Sequence, residues 1–505
     1  MNTSPLAALP SELQNNPLLT FGRGIASYSE VEPEHITPAI EWLLKRAQTA
    51  VDLATNPSTP ATWDQLAEPL EDATEALGRS WGVISHLNSV ADTAELRAAY
   101  GAMLPEVTAF FSSLGQNLAL YQKFKELSKS PEFAKLNRAQ KKVIENSLRD
   151  FRLGGAELSD TNKPRFAQIQ DEQAVLGKAF SDHVLDATDH FVHHITNESD
   201  LVGLPEDVKA AAADIAQQKG LQGWAFTLHF PSYYPVMQYS ENRGLRRLMY
   251  EAYITRSSEL GPQFGEGKAG WDNTQNMLEQ LRLRDEEARM LGFANFAALS
   301  LAPKMANTVN EVDRFLTDFA IKSKPYAKRD WDELCVFAKN ELGLVNGIEP
   351  WDMAFASEHL KQSRYAFSEN ELKQYFPLPK VLEGLFGVIQ TLFNVKIEPT
   401  NLPTWHADVQ SFAVKDLSGK LRAYFYLDPY ARPGKRGGAW MDDARGRREL
   451  PNGEIQIPVA YLVCNFAPPV KVDGVLRQPT ITHDDVITLF HESGHGLHHL
   501  LTQVS

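Results

Sequence analysis

Apolar residues recur at intervals of three and four from about Thr37 to Arg152, in a background rich in Ala, Leu, Glu and Lys. That period matches the 3.6-residue turn of an α-helix, so it predicts a series of amphipathic helices. Leu120, Phe124 and Leu127 fall on one such face; Val143, Leu148 and Phe151 fall on another. Thr37-Pro38 reads as the first helix start, a capping hydroxyl followed by Pro at the first helical position. Gly154-Gly155 ends the block. Helical periods return over 161–188, from about Asn242 to Gly292, from Val309 to Leu342 and from Leu382 to Phe393. Trp224 to Phe230 alternates apolar and polar, which predicts a strand stopped by Pro231. Ahead of all this, residues 1–25 are rich in Pro, Asn, Ser and Gly and read as an extended arm.

The texture changes after Asn394. Ser411–Val414, Leu421–Asp428 and Ile457–Asn465 are rich in aromatic and β-branched residues, with Gly and Pro between them. They predict a small sheet in an otherwise helical protein. The expected fold is therefore mainly α. Its expected division is an arm over 1–25, an N-terminal helical domain over 26–155, a connecting helical region over 156–220 and a larger domain over 221–505.

Composition narrows the function. With 43% hydrophobic residues in 505, the chain is not intrinsically disordered. Fifty Lys plus Arg against 64 Asp plus Glu give a net charge of −14, without a basic stripe, which argues against a nucleic-acid partner. There is no apolar run of about 18 residues, so no membrane span is expected. Met1 to Leu19 lacks the basic and apolar regions of a signal peptide. Cys335 and Cys464 are the only cysteines. A reducing, cytoplasmic location is expected.

The chemistry lies at the end of the chain. Thr482 can cap a helix and Asp485, three residues on, completes a capping pair. Within that helix stands His491-Glu492-Ser493-Gly494-His495, the H-E-x-x-H pattern. Residues four apart are about 40° apart around a helix and about 6 Å apart along it, so two imidazoles can converge on one ion. Neutral imidazoles suit zinc. Glu492 lies about 100° round from His491, close enough to act as a general base without ligating the metal. His498 follows on the same stripe, but about 10.5 Å of rise from His491 is too far to share its ion, so a supporting hydrogen bond is expected. His499 is expected to be structural. Val486, Leu489, Phe490, Leu497, Leu500 and Leu501 form the apolar back, with Ser493 in its middle bonding to the Leu489 carbonyl. Gly494 and Gly496 predict a closely packed neighbour.

Other clusters have simpler readings. Asp442-Asp443 and Asp484-Asp485 suit turns or caps better than acid–base catalysis. Gly437-Gly438 is a turn without the phosphate-loop pattern. In the cluster of His190, His193 and His194, the first and last could share an ion on a helix, but Phe191-Val192 and Ile195-Thr196 favour a strand there.

Several stretches together identify a family. They are Ser85-His86-Leu87-Asn88-Ser89-Val90, Pro231-Ser232-Tyr233, Lys435-Arg436-Gly437-Gly438-Ala439-Trp440-Met441-Asp442-Asp443, Ala460-Tyr461-Leu462 with Cys464-Asn465-Phe466, and Thr482 through Leu501. With them the chain resembles the thimet oligopeptidase family of zinc metallopeptidases, most closely its bacterial members. The resemblance implies a helical zincin-type fold with a deep channel and a small sheet near the zinc helix. It implies one Zn2+ held by His491 and His495, Glu492 as the base, and oligopeptide substrates short enough to enter the channel. A monomer is expected. Ala460, Tyr461 and Leu462 would bind substrate if their strand offered its edge to an extended peptide. The family's third ligand is a Glu about 25 residues after the second His, which falls near position 520, beyond residue 505. The chain is therefore expected to be the N-terminal part of a longer enzyme, and the alternative is an inactive fragment or a non-catalytic peptide-binding scaffold. It departs from the family pattern at Ser493, where relatives carry Phe, and at Phe355-Ala356, where they carry a Tyr pair.

Overall fold

The computed structural model describes residues 9–263, 267–472, 475–477 and 479–504. The N-terminal period resolves into helices α1 (Pro33–Thr55), α2 (Glu68–Val90) and α3 (Ala94–Gly115), followed by Leu118–Lys129 and Arg138–Leu153. Leu120, Phe124, Leu127 and Phe151 are buried in one core, as the period predicts, with Leu148 partly buried against it. Gly155 adopts a positive φ of 89° just past the last of these helices. The first helix starts four residues before Thr37. Glu32 and His35 form a reciprocal capping box and Pro33 takes a first-turn position, which leaves Pro38 inside the helix.

The arm is not extended where it is described; residues 1–8 lie outside the described residues. Pro17–Thr20 forms a helical turn capped by Asn16, whose Nδ2 donates to the His35 carbonyl at 2.9 Å. Leu18 is buried and its carbonyl accepts from Ser80 Oγ at 2.7 Å. Two apolar side chains and one amide outweigh the flexible composition of this segment.

Helix α4 (Lys163–His190) follows, then an antiparallel ribbon of His193–Ile195 with Trp224–Phe226. The ribbon stops at Phe226. Pro231 does not end a strand; it lies in the first turn of a helix, Phe230–Tyr239, where a missing N–H is harmless. The long period after Asn242 is broken into α5 (Arg243–Thr255) and Thr274–Met290. Helices α6 (Val309–Glu341) and α7 (Met353–Tyr365) come next. On α5, the buried Arg246 guanidinium donates to Asp352 Oδ1 at 2.8 Å and to the Ser240 carbonyl at 2.6 Å, and lies 4.0 Å from the centre of the Phe355 ring. Ala356 is fully buried against Leu334 and Ala338 of α6. Phe355 and Ala356 are thus packing residues, one a flat cover for a cation and one a small contact between helices.

Helix α8 (Leu378–Phe393) leads into a sheet of β1 (Val395–Thr400), β2 (Gln410–Asp416), β3 (Leu421–Tyr430), β4 (Trp440–Arg445) and β5 (Val459–Phe466), and α9 (His483–Leu500) follows it. The strand order is β1-β2-β3-β5-β4, with β3 and β5 parallel and the other neighbours antiparallel. Side chains alternate across β5. Val459, Tyr461 and Val463 join the core of the N-terminal helices, while Ala460, Leu462, Cys464 and Phe466 pack with α8 and α9. The sheet is therefore a middle layer that carries α9 on one face.

This topology corrects one expectation. Ala460 pairs with both Phe425 and Asp443, Tyr461 with both Tyr426 and Asp442, and Leu462 with both Leu427 and Met441. No edge is free at these residues, so they cannot add a peptide strand. The sheet's edges are β1 and β4; β4 is the edge that borders α9, which the sequence pattern did not reveal, and Asp442-Asp443 lie in that strand and not in a turn. Among the described residues no helix is long and apolar enough to cross a membrane. Cys335 and Cys464 are both free thiols.

Candidate active site

Helix α9 begins as its sequence predicts. Asp485 N donates to Thr482 Oγ1 at 3.1 Å, and Thr482 N donates to Asp485 Oδ2 at 2.9 Å. His483 N donates to Glu369 Oε1 at 2.9 Å, so a second carboxylate meets the positive end of the helix. The helix ends at Leu500, one residue before the expected apolar run is complete. Its back is centred on Leu489, Ser493, Gly496 and Leu500, all buried. Phe490 lies off that centre and is 40% exposed, contrary to expectation. Ser493 Oγ donates to the Leu489 carbonyl at 2.7 Å.

Of the two glycines, Gly494 has open space around it, whereas a Cβ on Gly496 would stand 3.0 Å from Leu462 Cδ2. Gly496 is what allows α9 to lie directly on β5. Gly496→Val is expected to destabilise the protein by about 1–3 kcal/mol, because Leu462 is itself packed in the core and the branched side chain overfills the contact. Urea unfolding of the two proteins measures the difference.

The two histidines of the motif converge. His491 Nε2 and His495 Nε2 are 3.1 Å apart, with the rings inclined at 82°. Two nitrogens at about 2.05 Å from one tetrahedral ion stand about 3.3 Å from each other. The pair therefore fits a single zinc ion. Glu492, between them in sequence, is 7% exposed and lines a cavity of about 710 Å3. Its other walls include Trp440, Asp442, Asp443, His495 and His498. Among the described residues, no group of three or more His, Cys, Asp or Glu gathers at one point.

The facing wall is β4, and sequence reasoning missed it. Asp443 N donates to Asp442 Oδ1 at 2.9 Å. Partial desolvation beside the cavity, with the like charge of Asp443, raises the carboxyl of the exposed Asp442 above its ordinary value, against the Asp443 N–H and His499. His499 Nε2 donates to the Arg445 carbonyl at 3.0 Å, tying α9 to the far end of β4. His498 is exposed on the cavity wall. Of the other histidine cluster, His193 and His194 lie on the ribbon, while His190 ends α4 and meets the Trp271 ring.

A family model described as Peptidase family M3 matches residues 236–505, and one described as Neurolysin/Thimet oligopeptidase, N-terminal domain, matches residues 40–163. The chain belongs to peptidase family M3. It is 45% identical over 491 residues to Oligopeptidase A of Haemophilus influenzae, a match covering 97% of this chain and 70% of that protein. Oligopeptidase A of Escherichia coli is 43% identical over 490 residues, covering 97% and 71%. A solved oligoendopeptidase F chain superposes with a TM-score of 0.51 at 14% identity, covering 93% of this chain and 64% of that one, which supports the fold. The M3 family model spans the whole of α9 and the sheet, so the motif helix, the β4 edge and the cavity all lie within the matched region.

Proposed function

We propose that this M3 chain is a zinc-dependent endopeptidase of the oligopeptidase A kind that hydrolyses short peptides in the cytoplasm. The observation that carries the reading is the 3.1 Å separation of His491 Nε2 and His495 Nε2 on one face of α9. When bound, zinc supplies Lewis acidity, polarising a scissile carbonyl and acidifying water. The protein's own groups do the rest. His491 and His495 hold the ion. Glu492 takes the proton of the attacking water and delivers it to the leaving amine. The free edge of β4 aligns an extended peptide across the cavity, with main-chain hydrogen bonds giving affinity without demanding one sequence.

The test is metal binding by the 505-residue chain, read as zinc content and as the visible spectrum of the cobalt form. His495→Ala is expected to weaken binding at least about a hundredfold, since one of the two protein ligands is lost. Equal affinity in that variant would remove the pair as a metal site and leave a peptide-binding scaffold as the better reading.

A further inference from the structure

The loop between β3 and β4 is held far more tightly than a surface connection requires. Gly434 N donates to Asp189 Oδ2 at 2.9 Å, and the Gly434 carbonyl accepts from Asp92 N at 2.9 Å. Arg436 N donates to the Ser89 carbonyl at 2.9 Å. Gly434 has a positive φ of 71°, and a Cβ there would meet the Asp92 carbonyl oxygen at 2.8 Å. The ends of α2 and α4 thus fix the first half of the loop.

The second half is fixed by the sheet. Lys435 is completely buried. A buried ammonium is tolerable only when its protons are all engaged. Lys435 Nζ donates to the Cys464 carbonyl at 2.6 Å, the Tyr430 carbonyl at 2.7 Å and Asp428 Oδ1 at 2.8 Å. The pairing of β3 with β5 slips between Asp428 and Tyr430, and the ammonium stands at that irregularity. Asp428, also fully buried, is shared with Arg432 at 2.7 Å and with Trp405 Nε1 at 2.9 Å. Burial pushes the Lys435 ammonium down to about 8, with the Asp428 charge pulling the other way. One residue further along β5, Asn465 Nδ2 donates to the carbonyls of Arg436 at 2.9 Å and Gly438 at 2.6 Å, bracketing the Gly437-Gly438 turn. Two residues after Gly438, β4 begins.

We propose that Lys435 and Asn465 are positioning residues that clamp the start of the β4 edge strand to β5 and so set its place beside the His491–His495 pair. The proposal rests on the reading of β4 as the peptide-docking edge. Neither side chain lines the cavity; Asn465 acts through the backbone of Arg436 and Gly438, and Lys435 by pinning the residue that precedes them to β3 and β5. A clamp of this kind moves peptide affinity and leaves metal affinity alone, because α9 is seated on β5 independently through Gly496 and Leu462.

Hydrogen exchange of the full 505-residue chain tests the clamp without relying on activity. Asn465→Ala removes two hydrogen bonds and leaves the buried charges in place, so the fold is retained. Exchange over 436–445 is expected to quicken about tenfold, while 421–430 and 483–500 keep their wild-type rates. Lys435→Met should quicken exchange over 436–445 more strongly and, because its Nζ also bonds Asp428 and Tyr430, at the end of 421–430 as well, while 483–500 keep their wild-type rates. Unchanged protection over 436–445 in Asn465→Ala overturns the proposal, and so does equal acceleration across the sheet and α9. In parallel, the dissociation constant of a fluorescein-labelled Ala-Ser octapeptide is expected to rise about tenfold in Asn465→Ala, with cobalt affinity unchanged. A wild-type chain that binds metal but not the peptide would sink the docking-edge reading, and the exchange contrast would still decide the clamp.

Discussion

Replacing Glu492 with Gln is expected to lower peptide hydrolysis by about two to four orders of magnitude, the usual contribution of a positioned general base. That loss corresponds to about 2.7–5.5 kcal/mol of transition-state stabilisation. The amide has the size and shape of the carboxylate, so packing in the wall of the cavity, where Glu492 is 7% exposed, is preserved. It cannot accept a proton from water. With His491 and His495 as the proposed ligands and Glu492 outside the set, zinc affinity should stay within a few-fold of wild type. The comparison is best made in a chain extended to the length of its relatives, with a quenched-fluorescence peptide for kcat/KM and the cobalt spectrum for the metal. Retained hydrolysis in Glu492→Gln would move the base elsewhere, and Asp442 and Asp443 on the opposite wall are the carboxylates available.

Helical parts of this site were legible because helix geometry is local. The i, i+4 spacing of His491 and His495 fixes their relative rotation whatever surrounds them, and Thr482 with Asp485 fixes the start. Those features appear where the sequence places them. The sheet was legible only in part. β4 contains Trp440-Met441-Asp442-Asp443-Ala444-Arg445, which has no clean alternation and two adjacent carboxylates. It is a strand because β5 supplies a ladder, a tertiary cause that propensity does not carry. The role of β5 could have been inferred. Val459 to Cys464 is an unbroken apolar run, the signature of a strand buried on both faces and therefore in the middle of a sheet. An edge role for this strand is at odds with that signal. The helix start expected at Thr37-Pro38 and the strand stop expected at Pro231 are misplaced for another shared cause. Proline is equally at home in a first helical turn and in a break, and only the cap partner, Glu32 with His35 in the first case, distinguishes them.

Acid should weaken the protein through one buried imidazole. His86, on α2, is 3% exposed and stacked on Tyr461 of β5, with ring centres 3.6 Å apart and planes 8° apart; Trp405 meets its edge at 4.2 Å. Its Nε2 is buried with no hydrogen-bond partner among the described residues. Burial pushes the imidazole down to about 3, overcoming the attraction of Asp428. In the unfolded chain the same group titrates near 6.5. Between those values the unfolded state binds a proton that the native state refuses, so stability falls as pH drops from about 6.5 towards 3. At pH 4 the loss amounts to about 3 kcal/mol from this residue alone. His86→Phe keeps a flat ring against Tyr461 and carries no titrating group. Urea unfolding at pH 7 and pH 4 should therefore show the variant gaining about 3 kcal/mol on the wild type as the solution is acidified. A difference independent of pH would mean that His86 takes up its proton without leaving its place. The effect reaches the active site through one strand: the Tyr461 face of β5 holds the N-terminal helices, and its Leu462 face holds α9 at Gly496.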